Sequence, residues 1–230
     1  MFAITGASRG IGKGVAEHLL AHGHVVVGCS RGDSELKHDQ YQHAIVDVAD
    51  ARSVREWLGA SRRRHGRIDG LIASAAIAPR PLPLALTNAE TVQAVLRVNV
   101  GGTFNACREA VKIMLPQRYG RIVTISSVAT GLHSSGTSAY AASKNAVVEM
   151  SRVLASELGD TGITCNVVAP SVVETDILDN VGTDAVNDTL SKLTLKRYLT
   201  MAEICHVISF LISPGSSGVT GQVIQMGLVG

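Results

Sequence analysis

A tyrosine and a lysine stand four residues apart in Tyr140-Ala141-Ala142-Ser143-Lys144. On a helix this spacing sets the phenol and the ammonium on one face. Such a phenol can donate or accept a proton in a reaction, provided its pKa is brought down from about 10. Reaching neutrality takes roughly 4 kcal/mol, more than a single exposed ion pair supplies. The pair therefore requires a water-poor pocket and a second positive charge beside the lysine. Thirteen residues upstream, Ser127 follows the apolar run Ile122-Val123-Thr124-Ile125. From that place its hydroxyl would bond a substrate oxygen while Tyr140 gives or takes the proton. Asn99 lies between Val98 and Val100 in a helical stretch, where an amide is locally costly. It is expected to bend that helix and to hold a water that links Lys144 to solvent.

A second group of residues is suited to anions. The segment Thr5-Gly6-Ala7-Ser8-Arg9-Gly10-Ile11-Gly12 joins a short apolar run to a helical pattern. Glycine permits positive φ and close approach of the backbone to a ligand, and the helix start offers free N–H groups to an anion. The spacing is G-x-x-x-G-x-G, a variant of the more common G-x-G-x-x-G dinucleotide fingerprint. A dinucleotide fold selects NAD with an acidic residue at the ribose 2′-hydroxyl and NADP with a cation near the 2′-phosphate. Here the second apolar run, Val25-Val26-Val27-Gly28-Cys29, ends in Ser30-Arg31 without a carboxylate. Arg31 can pair with phosphate and Arg9 can add a second cation, so NADPH is the expected cofactor. Asp33 keeps NAD(H) as the less favoured alternative.

The elements that must position these groups follow from alternating patterns. Apolar runs at 2–5, 24–29, 68–74, 121–126, 163–168 and 222–226, with a weaker one at 43–46, read as strands. Amphipathic stretches at 10–22, 51–65, 88–116, 138–159 and 201–212 read as helices. Alternation of this kind predicts an α/β fold: a single Rossmann-type, doubly wound parallel sheet of about seven strands, with helices on both faces and right-handed crossovers. No repeat or linker interrupts it, so residues 1–230 are expected to form one domain. Residues 171–200 are the least regular and are expected to cover the site as a flap, because ligands bind beyond the carboxyl ends of parallel strands.

Composition narrows the function classes. Hydrophobic residues make up 46% and charged residues 17%, as suits a sheet buried on both faces. A formal net charge of +2 implies no nucleic-acid surface, and the basic run Arg62-Arg63-Arg64-His65 reads as the solvated end of a helix. Cys29, Cys107, Cys165 and Cys205 are too dispersed for a zinc site or a disulfide framework, so no metal is expected and the thiols should be reduced. No apolar run is long enough to span a membrane, and the chain passes from Met1 directly into a strand pattern. A cytoplasmic protein is expected.

Taken together, TGASRGIG at 5–12, the serine at 127, YAASK at 140–144 and NVVAPSVVETD at 166–176 resemble the short-chain dehydrogenase/reductase family. The likeness runs from Thr5 to about Gly221 and is strongest to the β-ketoacyl carrier-protein reductases. It implies Tyr140 as acid/base, Lys144 as its pKa-lowering partner on the nicotinamide ribose, Ser127 as the substrate-orienting hydroxyl and Asn99 in a proton relay. It further implies cofactor contacts from Gly6, Ser8, Arg9, Gly10, Ile11 and Gly12, from Ser30 and Arg31, and from Asp47, beside the adenine amino group, with Val48. Ala75 and the segment 167–175, with Pro170, Val173 and Thr175, would complete the nicotinamide end. A homotetramer is implied too, with apolar residues such as Val95, Val98, Val147, Val148 and Met150 on the helices 88–116 and 138–159 at its core.

Three departures bear on substrate. Ala73-Ser74-Ala75-Ala76 stands where the family shows N-N-A-G, Pro170-Ser171 replaces Pro-Gly, and the chain stops at Gly227-Leu228-Val229-Gly230. Of two basic residues associated with carrier-protein docking, Arg118 matches one and Thr161 replaces the other. The leading expectation is thus an NADPH-dependent ketoreductase acting on a small or carrier-linked β-keto substrate. An NAD(P)-dependent dehydrogenase of a secondary alcohol, sugar or cyclic diol is the alternative. A non-catalytic dinucleotide sensor is the third reading, which the intact Tyr140, Lys144 and Ser127 disfavour.

Overall fold

In the computed structural model, residues 1–173 and 182–229 are described. Seven strands form one sheet: β1 (Phe2–Thr5), β2 (Val26–Ser30), β3 (Tyr41–Ile45), β4 (Gly70–Ala73), β5 (Gly120–Ile125), β6 (Ile163–Pro170) and β7 (Val223–Met226). Their order is β3-β2-β1-β4-β5-β6-β7, and every pair is parallel. The order reverses between β1 and β4, and a crevice opens at such a switch point beyond the strand ends. The weak pattern at 43–46 is β3, two residues nearer the N-terminus than the sequence places it.

Helices cover both faces. On one side lie α2 (Ala51–His65), α3 (Ala89–Val95), α4 (Thr103–Gln117) and α6 (Ser138–Glu157), and on the other α1 (Gly10–Ala21) and α8 (Met201–Ile212). Side chains alternate through the strands: Ala3 and Leu71 enter the core under α2 and α4, while Phe2, Ile4 and Ile72 enter the core under α1 and α8. Val54, Trp57 and Leu58 of α2 recur at helical spacing on the first side. Val15, Leu19, Ile204, Ile208 and Leu211 do so on the second.

Part of the expected irregular stretch is ordered as α7 (Thr183–Lys192). With the short α5 (Ala129–Leu132) and β6, it encloses a third apolar cluster of Val128, Val172, Val186 and Leu193. The cluster lies near the strand ends, which is where a flap was expected. Residues 174–181, including Thr175, lie outside the described residues.

The long helix expected at 88–116 has a different interior. Between α3 and α4 the chain makes a wider π-helical turn over Leu96–Gly102, centred on Asn99. Asn99 is fully buried. Its Nδ2 donates to Ile77 O (3.0 Å) and to Ser143 Oγ (3.0 Å), and its Oδ1 accepts from Ile77 N (2.8 Å). A buried amide needs such partners. The amide thus ties the loop after β4 to α6, and the expected bend takes the form of a π turn, a frequent device at functional sites.

Asn99→Leu keeps the volume but strips partners from Ile77 and Ser143. The expected outcome is a loss of about 2–4 kcal/mol, read as a fall of roughly 5–15 °C in thermal midpoint. An unchanged melting curve would show that the amide is replaceable.

Candidate active site

The phosphate-type turn follows directly from β1. Gly6 has φ +72°, and a Cβ there would sit 2.8 Å from Ala75 Cα; a Cβ on Gly12 would meet Gly6 O at 2.2 Å. Both positions thus require glycine, the first for conformation and the second for the close seat of α1 against the turn. Beside it, Thr5 Oγ1 accepts from Ser74 N and Ala75 N, both at 3.1 Å. The end of β4, where the family-type asparagine is missing, is therefore tied to β1 by this hydroxyl.

One cavity of about 600 Å³ runs along the strand ends from the glycine turn to α7. It is lined by Gly6, Ser8, Arg9, Gly10, Ile11, Ser30, Arg31, Asp47, Val48, Ala75, Ser127, Tyr140, Lys144, Pro170 and Val173. Gly12 and Asn99 are not among its lining residues. Gly12 supports the turn from behind. Both side-chain amide hydrogens of Asn99 are engaged, and its main-chain carbonyl oxygen accepts from Thr103 Oγ1 (2.7 Å). A water on the side-chain donors would have to displace one of those bonds.

Ser127 is fixed by an extension of the sheet: Ser126 N donates to Val168 O (2.8 Å) and Val128 N to Pro170 O (3.0 Å). Its Oγ accepts from Ala129 N (3.2 Å) and lies near enough to Tyr140 to favour the ionised phenol. Lys144 lies one turn along α6 from Tyr140, only 4% exposed. Its Nζ donates to Ile125 O (2.8 Å) and stands 5.8 Å from the Tyr140 ring centre.

Burial sets the electrostatics of this pair. Burial pushes the Tyr140 phenol up from its ordinary value, and the Ser127 hydroxyl offsets this only in part. Burial also brings Lys144 down to about 8. Desolvation disfavours both charged forms. Across the residues present, the lysine does not outweigh the desolvation of the phenol; the depression expected from sequence calls in addition on the positive charge of an oxidised nicotinamide.

Several lining residues escaped the sequence reading. Ile77, Arg80, Leu82 and Thr91 come from the stretch after β4, Leu132 and Ser134 from α5 and the turn behind it, and Val186 and Thr189 from α7, within the segment 171–200 expected to cover the site. None carries a motif. Their only signal was position beyond the carboxyl end of a parallel strand. Ser134 Oγ and Ser171 Oγ are buried and have no hydrogen-bond partner among the described residues, and both residues contribute to the lining of this cavity.

Comparison with known proteins agrees with this arrangement. The family profile described as Enoyl-(Acyl carrier protein) reductase matches residues 6–227. The 3-oxoacyl-[acyl-carrier-protein] reductase FabG of Thermotoga maritima is 35% identical, covering 96% of this chain and 93% of its own. The enzyme of that name from Salmonella typhimurium is 31% identical, with 97% and 93% covered. Among solved structures, levodione reductase superposes with TM-score 0.90 at 28% identity, over 98% of this chain and 95% of that one. ElxO with NADP bound gives TM-score 0.90 at 26% identity, over 97% and 95%. Sequence, sheet order and cavity concur, and the chain belongs to the short-chain dehydrogenase/reductase family.

Proposed function

We propose that the protein is an NADPH-dependent ketoreductase, active on a small or carrier-linked β-keto substrate, with Tyr140 as general acid. The observation that carries this reading is the convergence of Ser127, Tyr140 and Lys144 on one wall of a cavity that begins at the glycine turn and Arg31. The similarity to 3-oxoacyl-[acyl-carrier-protein] reductases supports the β-keto class. Oxidation of a secondary alcohol would use the same residues in reverse.

The residues present fit a dinucleotide. The turn at Gly6 leaves no room for a Cβ, and Arg9, Ser30 and Arg31 line the same end of the cavity. When bound, the reduced cofactor supplies the hydride, and in its oxidised form a positive charge beside the phenol. Gly6 to Ile11 would hold its pyrophosphate at the start of α1, Arg31 its 2′-phosphate, and Asp47 with Val48 its adenine. Ser127 donates to the substrate carbonyl and orients it, and the Tyr140 proton moves to that oxygen as the alcohol forms. Lys144 favours the ionised phenol that remains. Buried Val128, Val172 and Val186 keep water from the reacting end. In this reading Asn99 is a positioning residue, holding the loop at Ile77 and the helix that carries Tyr140.

The proposed assembly is a homotetramer, and the protein is proposed to work in the cytoplasm as a single domain. Val95, Val98, Val147 and Val148, expected at the subunit contact, are instead buried within the chain, so they are not surplus. The exposed large apolar residues of the same helical region are Leu96 (41%), Phe104 (52%), Leu115 (42%) and Val153 (51%), and these are the candidates for the contact. No helix among the described residues is long and apolar enough to cross a membrane.

Four outcomes test these statements. Tyr140→Phe should lower kcat by at least ~100-fold while leaving NADPH binding nearly unchanged; retention of most turnover would exclude Tyr140 as the acid. Reduction uses the charged lysine, whose pKa is lowered, so that charge is present below about 8 and lost above it. The pH profile of kcat/KM for reduction should accordingly fall as pH rises through about 8, and Lys144→Met should remove this limb. Arg31→Ala should raise KM for NADPH and leave that for NADH nearly unchanged; an equal loss for both would refute the 2′-phosphate contact. Sedimentation at micromolar concentration should give four copies of the 24.1 kDa chain, and a stable monomer would contradict the assembly.

A further inference from the structure

The Ser30-Arg31-Gly32 turn at the end of β2 is braced from behind by side chains that do not line the cavity. Ser30 Oγ donates to Gly32 O at 2.7 Å. His43 Nε2 lies 2.9 Å from Ser30 Oγ and 3.0 Å from Gly32 O, and Tyr41 Oη lies 2.8 Å from His43 Nδ1. A carbonyl oxygen only accepts, so in the neutral ring Nε2 carries the proton and Nδ1 accepts from the phenol.

The sheet register makes this brace rigid. Gly28 of β2 pairs with His43 of β3, and a Cβ at Gly28 would fall 2.5 Å from Tyr41 Oη and 2.7 Å from Ala7 Cβ. The Tyr41 ring therefore occupies the space this glycine leaves, next to the turn that follows β1. Two loops facing the cavity are thus referenced to one pair of side chains on β3. Gly32 O receives two donors, Ser30 and His43. If Ser30 turns its hydroxyl toward a ligand, the imidazole still bridges to Gly32 and the turn remains closed.

We propose that His43 is a positioning residue for the 2′-phosphate of NADP, and that it sets cofactor preference without touching the cofactor. It frees the Ser30 hydroxyl for a phosphate oxygen while keeping the turn in the shape that presents Arg31 to the same group. The inference rests on the NADPH reading given above.

The test is equilibrium titration of the full chain with NADPH and with NADH, followed by nicotinamide fluorescence and requiring no substrate. His43→Leu should raise the Kd for NADPH about tenfold, as for loss of a hydrogen bond to a charged group, and change that for NADH by less than about twofold. Because His43 acts through Ser30, the double variant with Ser30→Ala should be weaker than the poorer single variant by no more than about twofold. His43→Gln, whose amide reaches Gly32 O, should recover NADPH binding to within about threefold of the parent.

Equal weakening of both cofactors, or multiplied effects in the double variant, would overturn the proposal. A parent protein that prefers NADPH and a His43→Leu variant that keeps that preference would overturn it alone. Tighter binding of NADH by the parent would overturn the NADPH reading as well. Should His43→Leu fail to fold, His43→Asn, which is polar but too short to reach Gly32 O, takes its place with the same expected and overturning results.

Discussion

Every strand pair in this sheet is parallel, and that one constraint governs the placement of everything else. A parallel pair needs a crossover between its strands, so helices must cover both faces, and the strands must be apolar on both sides. Their carboxyl ends all open at one edge. The residues that follow β1, β2, β4, β5 and β6 are thereby brought within one cavity although they are spread across most of the chain. Gly6, Arg31, Ala75, Ser127 and Pro170 each stand at or just beyond the end of a different strand.

Within that frame, α6 serves two purposes that pull in opposite directions. Its apolar side packs on the sheet through Val147 and Ala155, yet the same helix must bury an ammonium. The conflict is contained locally. Lys144 donates to the Ile125 carbonyl at the end of β5, and Ser126 Oγ donates to the carbonyl of Lys144 (3.1 Å). A buried polar network of this kind is tolerable only when its members are satisfied. Here the bonds also fix the distance between the strand bearing Ser127 and the helix bearing Tyr140.

The sequence made the frame legible wherever pattern and chemistry coincide. Helices α2 and α8 were readable to within a residue because apolar spacing and end residues agree; Asp50 caps the first and a Thr200–Glu203 capping box begins the second. The glycine turn and the Tyr140–Lys144 pair were readable because their spacing is itself chemical. The π turn at Asn99 was not, since it answers a partner, Ile77, that is 22 residues away. The substrate end was the least legible part: Arg80, Leu82 and Ser134 carry no motif, and only their place beyond the carboxyl ends of parallel strands gathers them.

The small cluster of Val128, Val172, Val186 and Leu193 is separate from the two large cores that hold the sheet. Volume changes inside it reshape the wall next to Tyr140 while leaving the seats of α1, α2, α4 and α8 undisturbed. The sheet's packing and the shape of this wall are therefore encoded in largely different side chains. A lineage carrying this architecture can remould the wall by exchanging a few aliphatic residues, with the Tyr140–Lys144 pair and the glycine turn kept as fixed capital.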